Sequence, residues 1–166
     1  MNDSLQHAGG WRRILGTLAL AVLIEQMPWS GWGLVARPDF LLVAVLFWAL
    51  HQPARVGFAT AFLLGLLTDF QDGPVFGQHA IAYVMAAYLV QFLRLRLLQF
   101  EPLRQAAQMF PILLGAQLVV LLVGWLAVNP PAGLDILIPV PASTLLWYLV
   151  ALFGRIWHGK GAPHRA

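Results

Sequence analysis

The stretch Asp69-Phe70-Gln71-Asp72-Gly73-Pro74-Val75-Phe76-Gly77-Gln78-His79 brings two carboxylates and an imidazole close together in the chain. Paired acids that split one proton can do aspartyl-protease chemistry, and Asp with His can ligate zinc. The spacing argues against both. No third ligand falls at helical spacing, there is no H-E-x-x-H, and Gly73-Pro74 interrupts the chain between the acids and His79. Asp69 is expected to end a helix, Asp72-Gly73 to make a turn, and the segment to form a rim loop running to Gly77. Asn at Asp69 and Asp72 is then expected to leave folding intact. Glu25 and Gln26 are polar groups inside an apolar run, and pairing of Glu25 with Arg37 is one outlet for that charge. Gln117 sits mid-segment, where an amide bonds a neighbouring helix. The chain has no phosphate loop, Walker lysine or nucleophile elbow, and no cysteine to act as nucleophile, disulfide or thiolate ligand. The expectation is a protein without catalytic residues, metal or cofactor.

The elements that position these groups are apolar. Of 166 residues, 60% are hydrophobic and 10% charged, against about half and about a quarter in an ordinary soluble domain. A single chain of this length cannot hide that much apolar surface from water. Apolar segments run over 11–27, 40–50, 56–68, 75–93, 106–128 and 136–157. The second and third are short; residues 40–50 cover about 17 Å of a hydrocarbon core about 30 Å thick. Fusing 40–68 into one helix would bury His51, Pro53 and Arg55 at mid-membrane. A cleaved signal peptide competes for the first segment, because Arg12 and Arg13 precede Ile14 to Ile24. Glu25-Gln26-Met27-Pro28 then stands where small residues belong, so the segment is expected to stay.

Charge fixes the expected topology. Six spans with the N-terminus inside put Arg12, Arg13, Arg55, Arg94, Arg96, Arg104, Arg155, Lys160 and Arg165 on the cytoplasmic side and only Arg37 outside. Five spans give a weaker split and strand Arg55 in lipid. The reading is one transmembrane domain over 1–166, an all-α six-helix bundle with short cytoplasmic termini near 1–10 and 158–166. Asp39, Asp69, Asp72 and Asp135 fall toward outer ends, with Trp29 and Trp32 at the outer interface and Trp11 and Trp157 at the inner one. The net charge of +3 is scattered rather than gathered into an aromatic-laced patch, so nucleic acid is not an expected partner. Arg55, Arg94, Arg96 and Arg104 form an inner basic collar suited to anionic membrane lipids. Gly57, Ala61 and Gly65 recur at spacing four, so one helix face lets a neighbour, or a partner, approach closely.

The order of motifs resembles the MreD family of rod shape-determining membrane proteins. Its first marker is Arg37-Pro38-Asp39-Phe40 leading to Phe47-Trp48-Ala49-Leu50, followed by Pro53-x-Arg55-Val56-Gly57. The second is Leu64-Gly65-Leu66-Leu67-x-Asp69, then Gly73, Phe76-Gly77, His79-Ala80 and Ala87-Tyr88-Leu89. Gln26-Met27-Pro28-Trp29 and Gln105-Ala106 are also similar. Asp72 and Phe76 depart from the family's small hydroxyl residue and Leu. The resemblance implies a bacterial inner-membrane subunit of the elongation machinery, partnered by MreC, the MreB cytoskeleton, RodA and a class B penicillin-binding protein. It also implies a six-helix fold similar to substrate-binding subunits of energy-coupling-factor transporters.

The main rival function is a small-molecule, vitamin-type binding subunit of a transporter, which needs a polar cavity lined by groups such as Glu25, Gln26, Asp69, Asp72 and His79. An intramembrane hydrolase would need two carboxylates sharing a buried cavity. A scaffold needs neither.

Overall fold

The computed structural model describes residues 3–31, 33, 36–72, 75–127 and 137–159. Among these it holds seven helices and no strand: α1 (Asp3–Glu25), α2 (Phe40–His51), α3 (Phe58–Asp72), α4 (Gln78–Phe92), the four-residue α5 (Arg94–Leu97), α6 (Pro102–Leu126) and α7 (Pro139–Gly159). The six longer helices fall on the six apolar segments, with shifted ends. Helix α1 begins at Asp3, ahead of the apolar run, and α7 continues to Gly159. Both therefore extend into the stretches read as termini. Gly73, Trp32, Asp135 and residues 160–166 lie outside the described residues.

Helix α2 is apolar nearly all round, and a helix without a polar face must be covered on every side. Leu41, Leu42, Val45, Leu46, Ala49 and Leu50 are buried, and α1, α3, α4 and α7 surround it. Its neighbour α4 presents Ala82, Ala86 and Ala87, small enough for α2, α3 and α6 to approach together. Helix α6 starts with Pro102 in its first turn, where the missing N–H costs nothing, and runs antiparallel along α4, with Gly115 opposite Met85 and Gly124 opposite Gln78. Trp147 of α7, fully buried, donates through Nε1 to Gln105 Oε1 of α6 at 3.3 Å.

The outside of this bundle is apolar. Leu15, Leu20, Leu23, Phe62, Phe92, Trp125, Leu126 and Phe153 are all more than 40% exposed, Leu126 reaching 77%. Soluble monomers rarely expose contiguous apolar patches of more than a few hundred Å². Among the described residues one helix, Pro102–Leu126, is by itself long and apolar enough to cross a membrane. Phe40–His51, Phe58–Gln71 and Pro139–Gly154 are shorter apolar stretches.

Candidate functional site

A helix begins with backbone N–H groups that have no partner in the helix, and among apolar neighbours each must find an acceptor other than water. At one end of the bundle those acceptors are carboxylates supplied across helix boundaries. Asp69 of α3, fully buried, accepts from the backbone N–H groups of His79 (2.8 Å, Oδ1), Gly77 (2.9 Å, Oδ2) and Ala80 (3.2 Å, Oδ2), and its Oδ1 lies 3.0 Å from His79 Nδ1. It does not end its own helix, as the sequence suggested; α3 runs on to Asp72, and Asp69 caps α4. Gly77 takes φ +98°, a backbone conformation that a side chain would strain, and so turns its N–H toward Asp69.

The start of α2 is capped twice. Asp39 is its N-cap and accepts from Leu42 N–H at 2.8 Å, while Glu25, at the end of α1, accepts from Leu41 N–H at 2.9 Å. Tyr83 of α4 donates its hydroxyl to Asp39 at 2.7 Å, and Thr68 of α3 lies 3.4 Å from that hydroxyl. Asp39 N–H in turn donates to Ser143 Oγ of α7 at 2.9 Å. Loss of water pushes the Asp39 carboxyl above its ordinary range, against the pull of the Tyr83 and Leu42 donors. Arg37 donates to the backbone carbonyl of Glu25 at 2.8 Å, closing the linker over the cap. Pro38 sits between Arg37 and Asp39, partly buried. One polar cluster therefore joins α1, α2, α3, α4 and α7.

The opposite end carries the arginines. Arg94 Nε donates to Leu50 O at 2.8 Å, closing the end of α2, Arg55 stacks over Trp11, Arg96 stacks over Phe100, and Arg104 is exposed. His51 is exposed, with Nδ1 2.8 Å from Phe47 O. Trp48 reaches α1, donating through Nε1 to Thr17 Oγ1 at 2.8 Å.

The three small residues separate. A Cβ built on Gly65 would meet Ala80 Cα at 2.5 Å and His79 O at 2.7 Å, so α3 and α4 touch backbone to backbone there. Ala61 is fully buried. Gly57 stands just before α3, accepting Ala61 N–H through its carbonyl, and its nearest neighbour would be Pro53 O at 3.8 Å. Gly57, at the N-cap, faces Pro53 of the preceding turn and takes no part in the close contact made by Gly65.

Of the polar residues that might line a transporter cavity, Glu25 and Asp69 are engaged with helix starts. Asp69 and His79 bond each other, Glu25 caps α2, Gln26 is exposed, and Asp72 is the last residue of α3. Three backbone N–H groups and the His79 ring nitrogen surround the Asp69 carboxylate. Among the described residues no group of three or more His, Asp or Glu is placed to hold a metal. Sequence reasoning missed Tyr83, Thr68, Ser143 and Gln105. Each reads as an ordinary helix residue, and only the hydroxyl and amide groups, scarce in apolar segments, signalled that partners were needed.

These observations define a class: an all-helical bundle with an apolar exterior, in which buried carboxylates tie helix ends together. The chain belongs to the MreD family, since the family described as rod shape-determining protein MreD matches residues 8–157. A curated relative, the rod shape-determining protein MreD of Haemophilus influenzae, is 31% identical over 80 residues, covering 48% of this chain and 49% of the relative. The match thus spans about half the length of that relative. No solved structure matches.

Proposed function

We propose that this chain is an inner-membrane scaffold subunit of the bacterial rod machinery, without enzymatic activity. It crosses the membrane six times with both termini cytoplasmic, in a fold similar to energy-coupling-factor substrate-binding subunits. Its role is to maintain rod shape by coordinating peptidoglycan synthesis through helix contacts with an MreC-like partner. MreB, RodA and a class B penicillin-binding protein complete the assembly. The observation that carries this reading is the apolar exterior joined to a segregated basic end: lipid or other helices suit the flanks, and anionic lipid suits Arg96 and Arg104. Family membership supports the cellular role.

Topology is tested by single cysteines in this cysteine-free chain. With an impermeant reagent on intact spheroplasts, Phe76→Cys is expected to label, and Ala54→Cys and Gln99→Cys only after permeabilisation. Labelling of Ala54→Cys from outside would overturn the six-span reading. The scaffold role is tested by purification in mild detergent from the native host, followed by identification of accompanying chains. An MreC-like protein is expected to accompany it, and its absence from a folded preparation would sink the partnership.

A further inference from the structure

An open groove of about 720 Å³ runs between α6 and α7 on the outside of the bundle. Leu103, Ala107 and Phe110 of α6 form one wall, and Pro141, Leu145 and Tyr148 of α7 form the other. Its lining is apolar. Thr144, also in the second wall, donates its hydroxyl to Val140 O of its own helix at 2.9 Å. Pro111 follows the first wall directly inside α6, and a proline ring there crowds the carbonyl four residues back, which is that of Ala107.

We propose that this groove holds one acyl chain of an anionic phospholipid from the cytoplasmic leaflet, with Arg104 binding the phosphate at its mouth. Length selects the occupant. From Leu103 to Phe110, and from Pro141 to Tyr148, the lining runs about 10 Å along each helix, within the roughly 15 Å of hydrocarbon that one leaflet supplies. A partner's transmembrane helix would need a face continuing through both leaflets, whereas a lipid chain ends at the middle of the bilayer.

Charge selects the headgroup. Of the inner arginines, Arg94 bonds Leu50 O, Arg55 and Arg96 stack on rings, and Arg104 is exposed. Arg104 follows Leu103 and stands one turn before Ala107, so it flanks the groove at the start of α6. Glu101 is about 160° round the helix from Leu103 and does not oppose a phosphate there. Tyr148, next to the Trp147 that bonds Gln105, stands at the same end, where a ring with a polar tip suits the headgroup level. A guanidinium makes charge-assisted hydrogen bonds to a phosphate, and the chain beyond it covers the apolar walls. The site rests on the six-span reading, which puts the start of α6 at the cytoplasmic face.

The test titrates the purified full chain, stripped of lipid in detergent, with phosphatidylglycerol or with phosphatidylcholine of the same chains, and reads bound lipid by native mass spectrometry. The wild type is expected to hold one phosphatidylglycerol about fivefold more tightly than phosphatidylcholine, the share of one arginine beside an anionic lipid. Arg104→Gln should erase that preference. Ala107→Phe, which fills the groove from an exposed position, should abolish retention of either lipid. Arg96→Gln removes a charge outside the groove and should change neither. Leu145→Trp fills the groove from the exposed side of α7 and takes the place of Ala107→Phe should that variant fail to fold. Equal binding of the two lipids by the wild type, a preference unchanged in Arg104→Gln, or retention unchanged in the groove-filling variant would overturn the site. So would loss of an accompanying protein from Ala107→Phe with lipid binding intact, because the groove would then seat a partner helix. Labelling of Gln99→Cys reports topology separately, so the expected topology without selective lipid binding refutes the lipid site alone.

Discussion

Replacing Gly65 with leucine is expected to lower stability by about 3 kcal/mol or more, the upper range for forcing bulk into a closed contact. Even the Cβ would lie 2.5 Å from Ala80 Cα and 2.8 Å from Ala80 N, and these are backbone atoms that cannot swing aside. Helices α3 and α4 must then separate. Their separation also pulls Asp69 away from the Gly77, His79 and Ala80 N–H groups, so the packing defect spreads to the helix cap. In lipid, close packing has to replace the hydrophobic drive that holds helices together in water, which leaves little to compensate. Two controls calibrate the effect. Gly57→Ala meets only Pro53 O at an ordinary contact distance, and Leu64→Phe adds bulk about 100° round the helix. Both should be milder in thermal unfolding and in partner co-purification. Equal stability of Gly65→Leu and wild type would mean that α3 and α4 do not touch at this point.

Asp69→Asn is expected to cost about 3 kcal/mol, because hydrogen bonds to a buried charge are worth about 1.5–3 kcal/mol and orphaned donors add their own penalty. The substitution is nearly isosteric, yet its amide can accept through one oxygen only. The carboxylate receives donors on both oxygens, so Asn turns an N–H₂ group toward either Gly77 and Ala80 or His79. This reverses the sequence-based expectation that Asn at this position leaves folding intact. Hydrogen exchange localises the effect: the first amides of α4 should lose protection before those of α6. If Asp69→Asn unfolds at the wild-type temperature, the cap contributes nothing and the close approach at Gly65 alone holds the hairpin. Asp39→Asn should be better tolerated, since its Oδ1 can still receive Leu42 N–H and Tyr83 OH.

The two caps share a physical origin. A bundle with an apolar exterior offers helix starts such as that of α2 few polar partners along its flanks. Carboxylates from another helix or from the preceding linker fill that need, and in doing so they set how the helices sit against each other. The small-residue contact and the acidic caps thus fix one end of the bundle. Arg94 on Leu50 O and Gln105 between Leu97 O and Trp147 fix the other.

The linear pattern was enough to determine much of this. Runs of Leu, Val and Ala interrupted by Pro, Gly and charge dictate six long helices, because apolar periodicity and backbone-breaking residues are local properties of the chain. The motifs from Arg37 through Tyr88 carry the family, and Gly65 is marked as a packing residue by its lack of a side chain. What only the tertiary structure decided is which polar group meets which. Asp69 looks like a helix terminator until α4 is seen to start against it, and Gly57 looks like a partner of Gly65 until only Pro53 is seen to lie near it. Glu25 and Asp39 are separated by a linker that sequence cannot fold, so their meeting at the first turn of α2 was not legible. Tyr83 and Ser143 gave no sign of sharing that site. Hydrogen bonds at helix ends depend on the relative heights and rotations of several helices, and those follow from packing the whole bundle rather than from any segment of it.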